Sequence, residues 1–253
     1  MCYDDQARPP QPPGASGSTC SEDLVLTAAD GNRFAAFLAR PEKPSKTAVL
    51  IYPDVRGLHQ FYKELALRFA ETGVTALAFD YFGRTAGLTS RAESFEFRPH
   101  VLQTQIDTLF LDAQSALTEL RKYSNRIFVV GFCFGGSLAL LSGTNPDFGF
   151  AGVIPFYGSL SRAFGDRGTT LDNVVKSRYP VLGLYGGADP GIPESDIHQL
   201  DEWLDQAGIE HQIVIYPGAP HSFFDRRATE YADASADAWR RILDFIAAQP
   251  IPS

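Results

Sequence analysis

The chain has 253 residues, of which 44% are hydrophobic, and a formal net charge of −8 from 22 basic and 30 acidic residues. This length allows one large domain or two small ones, and the hydrophobic share allows a sizeable core. The acidic balance argues against nucleic acid or an anionic membrane surface as the main partner, and no apolar run approaches the roughly 20 residues of a membrane span.

The first 20 residues are rich in Pro, Gly and Ser. They predict a poorly structured tail, which could also pack as an extended strap over the domain. We expect a single domain over residues 21–253. No signal peptide is expected, because the chain does not start with a charged region followed by an apolar one. Cys2, Cys20 and Cys133 do not form a disulfide framework, so a reducing, cytoplasmic setting is predicted.

The predicted elements begin with a hairpin over residues 23–40, because Asp30-Gly31 separates two apolar stretches. Strands and helices then alternate to the end of the chain. Two long connections interrupt the alternation, one over residues 83–99, a candidate lid, and one over residues 159–178. The pattern predicts an α/β fold, a three-layer sandwich with a mostly parallel sheet and helices on both faces. Strands are expected at 47–52, 74–79, 150–156, 181–185 and 212–216, helices at 57–71, 104–122, 194–207 and 231–248, and a strand-turn-helix unit at 126–140.

The stretch Gly131-Phe132-Cys133-Phe134-Gly135 has the pattern of a nucleophile elbow, with cysteine in place of the commoner serine. Strand and helix almost touch at such a turn, so the residues two before and two after the nucleophile must be small. The turn also places the thiol beside a helix N-terminus, which favours a thiolate. A lone cysteine in an apolar stretch is usually a small core residue, but the two glycines favour a nucleophile here.

Two later loops contain the partners that a thiol nucleophile needs. Asp189 follows the strand predicted to end at residue 185, and His221 follows the strand predicted to end at residue 216. Nucleophile, acid, histidine is the chain order of α/β-hydrolases. His221 would take the thiol proton, and Asp189 would hold the imidazole tautomer. Singly, Asp189 could be a turn residue and His221 a surface residue; their order favours a triad.

The oxyanion hole of such an enzyme requires two backbone N–H groups. We expect one from Phe134, the residue after the nucleophile, and the other from Val55, in the loop over residues 53–57. The remaining histidines show no metal-ligand spacing, and no glycine-rich nucleotide motif is present. The sequence therefore predicts neither a metal nor a cofactor. We interpret these four histidines as ordinary polar residues; they are His59, His100, His198 and His211.

From about residue 21 to 248 the chain resembles the dienelactone hydrolase family, a branch of the α/β-hydrolases. The G-x-C-x-G-G elbow is the specific feature. Supporting features are Tyr52-Pro53-Asp54, the stretch from Phe79 to Arg84 and His221-Ser222-Phe223. The resemblance implies hydrolysis of an enol-lactone formed during catechol degradation, without a cofactor or metal.

Two departures from the family pattern concern the substrate pocket. Where known members have a glutamate that contacts the resting thiol, this chain has Asp54, which is shorter by one methylene. Members also bind the substrate carboxylate with two arginines, one in the lid and one four residues after the histidine. That second position is Asp225 here, with Arg226 one residue further on. Candidate substrate-binding residues are Arg84, Arg91, Arg98 and Tyr157.

The leading hypothesis is a cytoplasmic hydrolase of a small lactone or ester that uses a Cys-His-Asp triad and an acyl-thioester. The alternative enzyme is a carboxylester or thioester hydrolase of broader substrate range that uses the same triad. A non-catalytic relative that binds a small ligand is the alternative from another class, because fold alone does not guarantee activity. Expected partners are limited to the small-molecule substrate, with no nucleic acid and no membrane, and the protein is expected to be a monomer or homodimer.

Overall fold

The computed structural model describes residues 5–15, 17–44 and 46–249. Cys2 and the last residues of the predicted domain, 250–253, lie outside these ranges. The strands are β1 (Thr19–Thr27), β2 (Arg33–Pro41), β3 (Ala48–Tyr52), β4 (Thr75–Phe79), β5 (Ile127–Phe132), β6 (Phe150–Phe156), β7 (Val181–Gly186) and β8 (His211–Tyr216). The helices are α1 (Gln60–Glu71), α2 (Gly83–Ala86), α3 (Arg98–Gln103), α4 (Ile106–Leu120), α5 (Phe134–Ser142), α6 (Thr170–Val174), α7 (Glu194–Gln206) and α8 (Ala232–Ala248).

All eight strands form one sheet in the order β1-β2-β4-β3-β5-β6-β7-β8. β1 pairs antiparallel with β2 and β2 antiparallel with β4, while the neighbouring pairs from β4 to β8 are parallel. The predicted hairpin and mostly parallel sheet are confirmed. The order reverses between β3 and β5, and such a reversal opens a crevice at the carboxyl ends of the strands.

The core fills both sides of the central strands. Every residue of β3, β4, β5, β6 and β7 is buried, and because successive side chains point to opposite faces, both faces of these strands are covered. α1 and α8 pack against each other through Phe69 and Trp239, whose ring centroids are 4.8 Å apart. The predicted layered arrangement with helices on both faces agrees with this burial.

The strand registers bring the loops that follow the strands to one edge of the sheet. Tyr52 at the end of β3 is paired with Gly131 in β5, and Phe132 at the end of β5 is paired with Phe156 at the end of β6. Gly186 at the end of β7 is paired with Tyr216 at the end of β8. The loops with Val55, Cys133, Asp189 and His221 therefore leave the sheet at the same edge.

Several helix predictions need correction. The first helix begins at Gln60 rather than at residue 57, because residues 54–57 form a turn closed by the Gly57 N–H donating to the Asp54 carbonyl. The connection over residues 83–99 is not irregular throughout, since α2 lies within it and α3 begins at its end. The connection over residues 159–178 likewise contains α6, whose N-terminus is closed by a capping box between Thr169 and Asp172.

Candidate active site

The turn between β5 and α5 has the geometry that the elbow motif predicts. Cys133 adopts φ 55° and ψ −116° between the strand and the helix. Its N–H donates to the Phe156 carbonyl at 3.0 Å, and its carbonyl accepts from the Gly136 N–H at 3.0 Å. The side chain is partly exposed although the flanking strand and helix are buried. The backbone therefore lifts the thiol out of the core at the edge of the sheet.

The elbow glycines are required by the close approach of α5 to the sheet. A Cβ atom on Gly131 would lie 2.0 Å from the Gly135 carbonyl oxygen. A Cβ atom on Gly135 would lie 2.1 Å from the Pro53 carbonyl oxygen. The second contact also shows that the start of α5 touches the loop after β3, so the two regions expected to form the oxyanion hole are adjacent.

The N–H groups of Val55 and Phe134 have no acceptor among the residues that the structure describes. For Phe134 this follows from its place as the first residue of α5, because the first N–H groups of a helix lack an intrahelical partner. For Val55 it follows from the turn over residues 54–57, in which the Asp54 side chain accepts from the Arg56 N–H at 2.9 Å. Both groups remain available to a substrate oxygen.

Asp189 and His221 are brought together by the loops after β7 and β8. The His221 Nδ1 atom lies 2.6 Å from Asp189 Oδ2. The other carboxylate oxygen, Oδ1, accepts from the Gly191 N–H at 2.9 Å, which fixes the carboxylate plane. The Asp189 side chain is 2% exposed and that of His221 is 28% exposed. With Nδ1 donating to a buried carboxylate, Nε2 is the nitrogen that can accept a proton.

Backbone strain is concentrated in these same loops. The non-glycine residues with positive φ in the described part of the chain are Cys133, Tyr157 (35°) and Ser222 (62°). Tyr157 directly follows β6, and its ring centroid lies 4.9 Å from that of His221. Ser222 is the residue after His221. Positive φ at non-glycine residues is costly and is retained mainly at functional sites, which marks these three loops as one site.

Tyr81 holds the loop over residues 53–57 in place beside this site. Its hydroxyl donates to the Pro53 carbonyl at 2.9 Å and also contacts the Asp54 carbonyl. Burial, followed by the negative charges that Asp54 and Cys133 carry when ionised, raises the pKa of Tyr81 well above its usual range. The phenol therefore stays protonated as a hydrogen-bond donor and holds the turn that contains Val55.

Residues 34–249 match the sequence model of the dienelactone hydrolase family. The chain belongs to the dienelactone hydrolase family. The match spans the sheet from β2 onward together with all of the loops described above. Family membership makes the protein a hydrolase that acts on ester bonds.

Similar proteins agree with this assignment over most of the chain. Two similar proteins are both named "Putative carboxymethylenebutenolidase". The protein of Yersinia pestis is 26% identical over 93% of this chain and 92% of its own length. The protein of Methylorubrum extorquens is 29% identical over 78% of this chain and 70% of its own length. The crystal structure of a "Putative Dienelactone Hydrolase" from Klebsiella pneumoniae superposes with a TM-score of 0.79 at 23% identity, covering 91% of this chain and 99% of its own. The α/β-hydrolase fold is therefore shown.

The arginines expected from the resemblance to dienelactone hydrolases are held by carboxylates or lie on the surface. Arg84 donates to both Asp30 and Asp112, and so joins the β1–β2 turn to α4. Arg91 is buried, lies 2.6 Å from Asp80 and anchors the connection over residues 83–99. Arg98 is the first residue of α3 and is exposed, and Arg226 is exposed as well. Within the described residues, no hydrogen bond or ion pair joins any of these arginines to the elbow.

The two carboxylates that replace family residues are both buried. Asp54 has Oδ1 at 3.4 Å from His59 Nε2 in addition to its bond from the Arg56 N–H. Asp225 accepts from the Tyr157 hydroxyl at 2.9 Å through Oδ2. The same Tyr157 ring packs on His221, so Tyr157 links Asp225 to His221.

Sequence reasoning missed Arg162, which lies in the connection after β6. Its guanidinium carbon is 5.2 Å from the centroid of the Phe134 ring, and its charge acts to lower the pKa of Tyr81. The side chain is exposed, so a cation lies at the rim of the site beside the residue that follows Cys133. The sequence offered no periodicity in this connection that could have located it.

The described residues contain no group of three or more metal-ligating side chains and no helix with both the length and the apolarity of a bilayer span.

Proposed function

We propose that this protein hydrolyses a small lactone or ester with Cys133 as nucleophile, His221 as base and Asp189 as the residue that orients His221. The observation that carries the proposal is the 2.6 Å contact between His221 Nδ1 and Asp189 Oδ2 at the edge of the sheet where the strained Cys133 turn lies. This combination of an elbow and an oriented imidazole is the requirement for an activated nucleophile.

The acylation step begins when His221 Nε2 removes the proton from the Cys133 thiol. The sulfur then forms a bond to the carbonyl carbon, and the N–H groups of Val55 and Phe134 stabilise the negative oxygen. The bond from the carbonyl carbon to the ring or alcohol oxygen breaks, and that oxygen takes the proton from His221. The product is a thioester on Cys133, with the former lactone oxygen released as a hydroxyl or enol.

Water completes the cycle by attacking the thioester. His221 takes a proton from the water while the oxygen forms a bond to the carbonyl carbon. The bond from carbon to sulfur breaks, the thiolate recovers the proton, and a carboxylic acid leaves. No oxidant, reductant or metal is consumed in either half-reaction.

We propose a lactone that carries a carboxylate as the preferred substrate, with Arg162 as its partner. The proteins from Yersinia pestis and Methylorubrum extorquens are named for carboxymethylenebutenolide, a substrate of this type. Arg162 packs on Phe134 and is exposed, so its guanidinium can form the paired hydrogen bonds that a carboxylate accepts.

A neutral ester or thioester is the second candidate. It is favoured by the buried Asp225 that occupies the position of a family arginine and is held by Tyr157. A second buried carboxylate near His221 adds negative charge, which opposes an anionic substrate. We also infer that the enzyme works as a monomer or homodimer in a reducing, cytoplasmic setting, where Cys133 stays a reduced thiol outside any disulfide.

The test compares Cys133→Ala with Cys20→Ala on a carboxylate-bearing dienelactone and on p-nitrophenyl acetate. Cys20 is exposed and lies in β1, away from the site, and so provides a matched control. We expect Cys133→Ala to lose hydrolysis of both substrates and Cys20→Ala to retain it. Full turnover by Cys133→Ala would refute the mechanism. A higher kcat/KM for the anionic lactone selects the first substrate class, and a higher value for the neutral ester selects the second.

A further inference from the structure

Residues 5–15, here called the strap, lie along α1 and α8. The Trp239 indole N–H donates to the Pro10 carbonyl at 2.9 Å. Arg8 is 3.4 Å from Glu64 of α1, and Arg68 of the same helix donates to Gln11. The strap therefore follows a defined path over the domain and brings Asp5 to the edge of the sheet where the oxyanion loop lies.

Arg56 is a fully buried cation next to the proposed oxyanion donor Val55. The side chain is 0% exposed, and its Nη1 atom lies 2.8 Å from Asp5 Oδ1. Arginine stays charged in proteins, and an uncompensated buried charge is strongly unfavourable. Asp5, which is 40% exposed, is thus a carboxylate from outside the loop that pairs with this guanidinium.

The guanidinium is also joined to the loop itself. Its Nη2 atom contacts His59 Nδ1. Because arginine can only donate, a hydrogen bond between these two atoms requires Nδ1 to accept, with an imidazole proton on Nε2. That atom faces Asp54 Oδ1 at 3.4 Å, and the same oxygen accepts from the Arg56 N–H. Mutual contacts therefore join Asp54, Arg56 and His59 around the turn that contains Val55.

The second carboxylate oxygen of Asp5 contacts the connection over residues 83–99, the predicted lid. Oδ2 accepts from the Glu93 N–H at 3.3 Å, and Glu93 lies two residues after Arg91, whose ion pair with Asp80 anchors the same segment. A single carboxylate of the strap thus contacts the segment that supplies an oxyanion donor and the segment predicted as a lid.

We propose that Asp5 is a positioning residue for the oxyanion hole, acting through Arg56 on the turn that contains Val55. This inference rests on the proposed function, since it requires an oxyanion to be stabilised there. Without the Asp5 carboxylate the buried guanidinium loses this ion pair and shifts, and the turn shifts with it. Small displacements of a preorganised donor reduce transition-state stabilisation more than ground-state binding, so the loss falls on kcat.

The experiment compares Asp5→Asn, Asp5→Glu and Glu64→Gln, using p-nitrophenyl acetate and thermal unfolding. Glu64→Gln is the matched control, because it removes the other ion pair of the strap from the α1 side and leaves Arg8 able to donate to the Asp5 carbonyl, and exposed pairs contribute little. We expect Asp5→Asn to lower kcat about tenfold with KM within about twofold. We expect Asp5→Glu to recover most of kcat, and Glu64→Gln to match the unsubstituted protein.

Alkylation of Cys133 by iodoacetamide separates this inference from the proposed function. The alkylation forms no oxyanion, so its rate reports the thiol alone, and we expect Asp5→Asn to leave it unchanged. An unchanged kcat in Asp5→Asn, an equal loss in Glu64→Gln, or a parallel loss of alkylation would each overturn the role of Asp5. Failure of the proposed function has a different signature, namely undiminished hydrolysis by Cys133→Ala.

Discussion

His221 Nδ1 lies 2.6 Å from Asp189 Oδ2, with the carboxylate buried and the imidazole partly exposed. The pair joins two loops separated by 32 positions in the chain. This contact assigns the proton-donating nitrogen of the imidazole and leaves Nε2 as the nitrogen that can accept a proton.

Replacing Asp189 with asparagine tests the orientation of His221. The amide can donate to Nδ1 and so favours the wrong tautomer, and we expect kcat/KM to fall by about a thousandfold. Steady-state hydrolysis of p-nitrophenyl acetate measures the loss. The control is Asp233→Asn, an exposed aspartate in the first turn of α8. A mispositioned base costs at least about tenfold in rate. A loss of less than about threefold in kcat/KM for Asp189→Asn would therefore contradict the role of Asp189 in orienting His221.

Replacing Gly131 with alanine tests the close packing of the elbow. The new Cβ atom would lie 2.0 Å from a backbone oxygen that cannot move independently. We expect the free energy of unfolding to fall by about 3 kcal/mol or more. Urea denaturation measures it. Gly143→Ala, at the other end of α5, has contacts no shorter than 3.1 Å, and we expect it to lose much less; equal losses would show that the elbow is not specially tight.

Replacing Arg162 with glutamine tests recognition of a substrate carboxylate. Loss of a charged hydrogen-bond donor should raise KM for a carboxylate-bearing lactone about tenfold, while kcat and the kinetics with p-nitrophenyl acetate stay unchanged. Arg98→Gln is the matched control, because Arg98 is also exposed and was a candidate from the resemblance. If Arg98→Gln raises KM and Arg162→Gln does not, the lid supplies the carboxylate-binding residue.

The pH dependence of stability tests the buried pair of Asp80 and Arg91. Burial raises the pKa of Asp80, and the nearby Arg91 charge only partly offsets this. Since the folded-state pKa lies above the unfolded one, the group favours folding at low pH, and this contribution is lost as the pH rises through the folded-state pKa.

The double variant Asp80→Asn/Arg91→Met removes the Asp80 carboxyl and its pH-dependent contribution to the unfolding free energy, together with the Arg91 charge. We therefore expect the slope of unfolding free energy against pH to become more positive than in the unsubstituted protein, over the acidic range above the ordinary pKa of aspartate, 3.8. Urea denaturation at a series of pH values measures the slopes. A slope that becomes more negative would mean that the pKa of Asp80 is lowered on folding.

The spacing of residues close together in the sequence explains why much of the fold and the central residues of the candidate site could be predicted. Gly131 and Gly135 flank Cys133 in a short pattern that only a strand-turn-helix unit accommodates, and the order of Asp189 and His221 follows from the alternation of strands and helices. The edge of the sheet where these loops meet then follows from the parallel arrangement alone.

The remaining features depend on contacts between distant segments. Arg162 reaches Phe134 through a connection without periodicity, and α6 within it is set by a local cap rather than by an apolar stripe. Asp5 meets Arg56 across 51 positions of sequence, the difference of the two residue numbers. His59, expected as an ordinary polar residue, is buried and contacts both Arg56 and Asp54. No pattern of neighbouring residues reports such pairings.

Trapping the acyl-enzyme tests the central role of Cys133 most directly. The protein is mixed with excess p-nitrophenyl acetate, quenched in acid during turnover and digested, and the acetylated peptide is identified by mass spectrometry. We expect one acetyl group, carried by the Cys133 sulfur and absent in Cys133→Ala. An acetyl group carried instead by another residue during turnover would contradict the assignment of Cys133 as the nucleophile.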